Sequence, residues 1–250
     1  MKLPNPSNII CASLLTGAYD VNRNETLNAD DFEAIRVWYN SVGALRLSAV
    51  IFHNNFSAAT EKQYTTDQIR FVRVDFDTTY NANIYRYFVY NDFFALHANE
   101  ISNVFVTDIT DVAVLQNPFE TELFTQQKNA LFCGDEPKKL DNEWMREHCT
   151  HLRNNISDFA AFEYTHRENA LLNCGIIGGS LTIMRQLMAE ITAIHRAYAP
   201  TNTTAYTLDM GAFNYVARTV FRQNLVHGSP VNTVFKGYET ARQDVWFRHK

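Results

Sequence analysis

Two carboxylates dominate the chemistry that this sequence offers. Asp108 closes the apolar run Val104-Phe105-Val106-Thr107, and Asp111 follows three residues later, ahead of Val112-Ala113-Val114-Leu115 and then Asn117-Pro118-Phe119. In a continuing strand, residues three apart point to opposite faces. A turn straight after Asp108 would bring both onto one cation. Carboxylate oxygens suit a hard divalent ion such as Mg2+ or Mn2+, and such an ion in turn grips a diphosphate. The plainer reading of the pair is a turn, because Asp at a strand end forms one readily.

These carboxylates need elements to hold them. Ile9-Ile10-Cys11-Ala12-Ser13-Leu14-Leu15 is a short continuous apolar run stopped by Thr16-Gly17, the pattern of a buried strand followed by a loop. Asn28-Ala29-Asp30-Asp31 offers an Asx cap and first-turn acids to a helix with Phe32, Ile35, Tyr39 and Val42 at helical spacing, ending at Gly43. Residues 47–53 and 69–75 read as strands, residues 81–97 as a buried aromatic helix, and residues 104–107 as the fourth strand. Strand, helix, strand, strand, helix, strand predicts an α/β fold with a mainly parallel, Rossmann-like sheet flanked by helices. Ligands of such sheets sit beyond the carboxyl ends of the strands, which singles out Thr16, Gly17, Asp75 and Asp108. Tyr85, Tyr87 and Phe88 suit stacking on a sugar or base, though a buried helix explains them more simply.

The second half is less regular. A strand is expected at 130–134 and a short helix around Trp144. Leu171-Leu172-Asn173-Cys174-Gly175-Ile176-Ile177-Gly178-Gly179 is apolar but punctuated by glycine, as a strand–turn–helix junction would be. Leu181, Met184, Leu187, Ile191 and Ile194 form a helical core stripe ending before Pro200. A further helix over 209–221 and a short strand over 224–227 follow, and no repeat or linker interrupts 1–250, so one domain is expected.

Composition narrows the partners. A net charge of −5 with no basic block argues against nucleic acid. Cys11, Cys133, Cys149 and Cys174 make neither a CxxC pair nor a zinc spacing; Cys11, Cys133 and Cys174 lie in or beside apolar runs, and the set reads as reduced core thiols of a cytoplasmic protein. Pro4, Asn5 and Pro6 make a poor leader, and no run approaches the roughly 20 apolar residues of a transmembrane segment. The expectation is a soluble chain.

The segment 104–119 resembles the Asp-x-Asp region of GT-A glycosyltransferases. Asp111, seven residues before Pro118, falls where the second Asp of that motif lies, whereas Asp108 is three residues upstream of it rather than two. This DxxD departure leaves Asp108 to touch metal, ribose, or both through water. Three further segments match in order. Asn83-Ile84-Tyr85-Arg86-Tyr87 resembles the helix that carries a donor-facing arginine in retaining galactosyl- and glucosyltransferases, so Arg86 would pair with phosphate or a nearby carboxylate. Asn173 and Gly175 stand in a segment like the Asn-Ala-Gly stretch that lines the donor sugar. Thr207-Leu208-Asp209-Met210-Gly211-Ala212-Phe213-Asn214 resembles the Asp-Gln-x-x-x-Asn helix start, with Asp209 near the reacting centre or serving as an N-cap. Met210 replaces the usual Gln, so that residue's contact does not carry over.

Val226-His227-Gly228 is similar to the tail motif whose imidazole completes the metal shell, with Lys236 beyond it to neutralise a leaving diphosphate. The resemblance thus implies a nucleotide-binding half over about 8–111, a donor-sugar and acceptor half over about 112–250, Mn2+ or Mg2+ as cofactor, and a nucleotide sugar, UDP-linked by default, as donor. It also implies transfer to a glycan or other hydroxyl acceptor, with retention favoured. Asp135 and Glu136, just beyond a strand, keep an inverting base in play. Alternatives are a nucleotidyltransferase, which would show a Gly-rich basic loop where Thr16-Gly17-Ala18-Tyr19-Asp20 stands, and a non-catalytic sugar-binding module of the same fold. An Asp-x-Asp-x-Thr phosphohydrolase would carry its nucleophile after the first strand, far upstream of Asp108.

Overall fold

A computed structural model describes residues 7–20, 25–198 and 208–250. Residues 1–6, Pro200 and Thr207, on which parts of the sequence reading rest, lie outside the described residues. The first half comprises β1 (Asn8–Leu14), a short antiparallel pair β2 (Tyr19–Asp20) and β3 (Glu25–Thr26), and a 3-10 turn at Glu33–Ile35 that leads into α1 (Arg36–Ala44). It continues with β4 (Ala49–His53), α2 (Ala58–Tyr64), β5 (Ile69–Arg73), α3 (Ala82–Leu96), β6 (Asn103–Thr107) and β7 (Val112–Val114). After a 3-10 turn at Pro118–Glu120 come α4 (Glu122–Gln126), β8 (Leu131–Lys139), α5 (Glu143–His148), α6 (Thr150–Asn155) and α7 (Phe159–His166). The chain then forms β9 (Ala170–Ser180), α8 (Leu181–Tyr198), α9 (Asp209–Thr219), β10 (Leu225–His227) and β11 (Phe247–His249).

Seven strands form the central sheet in the order β10-β8-β9-β6-β1-β4-β5. β1 runs parallel to β4 and β6, β4 to β5, and β8 to β10, whereas β9 is antiparallel to both neighbours. The sheet is therefore mostly parallel, and helices cover both faces. Side chains alternate across it: Ile9, Cys11, Val50, Phe52, Val104 and Val106 pack against α3, α8 and α9. Ile10, Ala12, Ile51 and Phe105 face Trp38 and Val42 of α1 on the other side. Because both faces are covered, the strands read as continuous apolar runs, and each large side chain so buried contributes about 1.5–3 kcal/mol. The four cysteines are buried and unbridged. No helix among the described residues is long and apolar enough to cross a membrane.

Three local expectations change. The helix expected from Phe32 opens as the 3-10 turn, with the Asp31 carboxylate accepting from the Glu33 N–H. α2, unforeseen because it has no buried stripe, starts at Ser57, whose hydroxyl accepts from the Thr60 N–H. The glycine-punctuated segment is no junction but one continuous strand, β9. Its glycines answer to neighbours rather than to turns: the Phe105 ring lies where a Cβ of Gly178 would be.

Candidate functional site

From β1 the chain goes to β4 and β5 on one side and returns to β6 on the other. At such a reversal the loops leave adjacent strand ends in opposite directions, and a crevice opens between them. Here it is a cleft of about 440 Å3, lined at the end of β1 by Ser13, Leu14 and Leu15 and beyond β6 by Asp108 and Asp111. The backbone bends between β6 and β7, so the two carboxylates do not follow strand alternation. The Asp108 N–H donates to the Gly175 carbonyl of β9 (2.7 Å), and the Lys250 N–H to the Asp111 carbonyl (3.1 Å).

The third member comes from β11. That strand pairs antiparallel with β7, setting His249 opposite Val112 and so beside Asp111. His249 Nε2 lies 3.7 Å from Asp111 Oδ1 and 3.8 Å from Asp108 Oδ2. One ligand atom from each of Asp108, Asp111 and His249 lies within 4.8 Å of the others, a grouping that could hold a metal ion. The donor set fits such an ion on two counts. Asp111 Oδ1, the oxygen that faces His249 Nε2, is buried without a hydrogen-bond partner, although buried polar atoms are normally satisfied. Burial also lowers the His249 pKa, against the opposing pull of Asp108 and Asp111, so the imidazole is neutral and its lone pair is free to ligate. Gly175 makes room for the cluster: a Cβ there would collide with the His249 ring and stand 2.7 Å from Asp108 Oδ2.

Arg86, projecting from α3, ties the site together. Its guanidinium donates to Asp108 Oδ1, to Asp209 Oδ2 (3.2 Å) and to the Cys174 carbonyl (3.3 Å), and its Nε to the Asn83 carbonyl (3.1 Å). Burial alone would lower its pKa, but Asp108 and the other surrounding groups outweigh that and hold it well above the ordinary value. Asp209, at the start of α9, is raised by burial and pulled back by Arg86, and its Oδ1 has no partner. Asn173 Oδ1 accepts from the Gly175 N–H (2.6 Å), and its amide donates to Glu136 Oε1 (2.9 Å), which fixes that carboxylate in the cleft.

Of the residues expected from sequence, Arg86, Asp108, Asp111, Asn173, Gly175, Asp209 and Lys236 line this one cleft. Thr16, Gly17 and Asp75 do not. Thr16 is buried in bonds with Asn54 and Asn55, which pin the loop after β1 to the loop after β4. Gly17 supplies the positive φ of that loop, and Asp75 is exposed beyond the edge strand β5. His227 also lies elsewhere. It sits on the opposite edge strand, β10, in register with Cys133, and its Nδ1 pairs with Asp135 Oδ2 at 2.8 Å. The imidazole at the cluster is His249, which sequence reasoning missed together with its neighbour Lys250. Phe247-Arg248-His249 alternates buried, half-buried and buried in the structure, but with a single apolar residue it carried little signal in the sequence. No family model matches the chain, and no curated protein matches its sequence.

Proposed function

We propose that the chain is a metal-dependent glycosyltransferase of the GT-A type, moving a sugar from a nucleoside diphosphate donor, UDP-linked in the first instance, to a glycan or other hydroxyl acceptor. One observation carries this: two carboxylates and a buried neutral imidazole converge beyond β6, at the reversal point beside β1, in a cleft that also holds Lys236 and Lys250. Two oxygens and one nitrogen suit Mn2+ better than Mg2+, and a bound divalent ion at such a place offsets the charge of a leaving diphosphate. Asp108, Asp111 and His249 would hold it.

The chain's own residues supply the positioning. Arg86 fixes Asp108 and Asp209 relative to each other through a planar fork, so both are set before substrate arrives. Asp209 Oδ1, buried and unpartnered, is an acceptor for a sugar hydroxyl. Asn173 acts through Glu136 and Gly175 rather than by offering a free amide. The matching motifs are those of retaining enzymes, and retention is the stereochemistry we favour. Glu136 gives inversion a specific foothold, because its carboxylate is held in the cleft with only 9% of the side chain exposed. The anomeric configuration of the product, read by NMR, separates the two.

Calorimetry of UDP with and without Mn2+, on the parent and on Asp111→Ala, tests the reading. Manganese-dependent binding that disappears in the variant is the expected result. If neither UDP nor GDP binds with Mn2+ present, the transferase reading fails and a non-catalytic module of the same fold takes its place.

A further inference from the structure

The two carboxylates of the cluster are not waiting for a cation. Asp108 is already paired with Arg86, and Asp111 Oδ2 with Lys250 Nζ at 2.7 Å. Arg86 is shared with Asp209, but over the whole cleft the carboxylates of Asp108, Asp111, Glu136 and Asp209 meet four side-chain cations, Arg86, Lys138, Lys236 and Lys250, so a divalent ion entering alone meets a site with no surplus negative charge. Lys236 lines the same cleft and makes no ion pair among the described residues. The balance is restored only when an anion enters as well.

The two internal cations differ in freedom. Arg86 is buried and held by four acceptors, so it stays where it is. Lys250 is a third exposed, makes one side-chain ion pair, and carries its ammonium on a flexible four-carbon stem. Its Nζ also lies 5.9 Å from the Phe235 ring, and Lys236 Nζ 5.3 Å from the same ring, so both ammonium groups border one side of the cleft. We propose that Lys250 is a mobile internal cation: it holds Asp111 while no metal is bound, and it moves to the diphosphate when metal and nucleotide load together. This rests on the proposed function for the identity of the anion, but the pairing of Lys250 with Asp111 does not.

Two consequences follow from linkage. Metal alone binds weakly because it must displace or face Lys250, and UDP strengthens metal binding by the same factor as metal strengthens UDP binding. The test is calorimetry of Mn2+ alone, UDP alone and each in the presence of the other, on the full chain, on Lys250→Met and on Lys250→Arg, with a thermal melt of each to confirm folding. Lys250→Met is expected to bind Mn2+ alone about five-fold tighter or more, and to bind UDP in the presence of Mn2+ about five-fold weaker or more. Lys250→Arg keeps the charge and stays close to the parent. A Lys250→Met protein whose affinity for Mn2+ alone is unchanged or weaker overturns the proposal, whatever the nucleotide does. Tighter Mn2+ binding with no UDP binding even in the parent sinks the nucleotide reading and the hand-off to diphosphate, and leaves Lys250 as a competitor for the metal.

Discussion

At the scale of single residues, the site depends on which imidazole reaches the carboxylates. His227 and His249 are both close to a carboxylate, but His227, on an edge strand, is hydrogen-bonded to Asp135, whereas His249 turns Nε2 from a buried position toward two carboxylates at 3.7 and 3.8 Å, beyond hydrogen-bond reach of either. A ligand is expected to look like the second. His249→Ala should therefore lower Mn2+-dependent UDP binding by at least about ten-fold, on the scale by which even outer-shell partners affect metal sites. His227→Ala should leave that binding within about two-fold, the change expected where no ligand is lost. Calorimetry of the two variants side by side decides it, and the opposite ranking would return the ligand role to His227. Asp108 and Asp111 were legible in sequence because they follow the carboxyl end of an apolar strand, where ligands of a parallel sheet sit. His249 was not, since nothing local to it announces a partner more than a hundred residues away.

At the scale of elements, α3 and α8 pack face to face and enclose His195, whose two ring nitrogens have no hydrogen-bond partner. Burial, helped by the Arg86 charge, lowers its pKa from 6.5 to about 3. The unfolded chain therefore takes up a proton near pH 6.5 that the folded chain refuses until about pH 3, and stability is lost as pH falls through that window. At about pH 5 the loss from this one group is on the order of 2 kcal/mol relative to neutral pH. In urea unfolding, His195→Leu should show a correspondingly smaller loss between about pH 7 and about pH 5. Equal losses in parent and variant would mean that His195 is not buried neutral. The apolar stripe of α8 was readable from its spacing, but the placing of a histidine within it was not, because a polar residue at a helix end looks solvated until its neighbours are known.

At the scale of the whole molecule, the last residues complete the core as well as the site. Val245, Trp246 and Phe247 are at most 2% exposed, and the Trp246 and Phe247 rings pack on Phe105 at the centre of the sheet. Each large aromatic removed from a core costs about 3–5 kcal/mol, and a domain has only about 5–15 kcal/mol in all. Deleting residues 245–250 should therefore abolish a cooperative thermal transition and raise binding of a hydrophobic dye, rather than merely remove His249 and Lys250. A truncated chain that still melts cooperatively within a few degrees of the parent would show that the tail serves the site alone.

The sequence by itself determined the layered α/β plan and most of the cleft. Continuous apolar runs of strand length ended by Gly17 or Asp108 read as strands buried on both faces, and chemistry then falls at their carboxyl ends. The three-residue spacing of Asp108 and Asp111 lets them share a cation only with a bend between them, and the bend is there. Tertiary structure decided the rest: that β9 runs antiparallel between β6 and β8, that Thr16 and Asp75 stand clear of the cleft, and that β11 returns to pair with β7. These are contacts between segments distant in sequence, set by how the two faces of the sheet fill. A three-residue strand such as β11 carries no pattern of its own until Val112 and Val114 are there to pair with it.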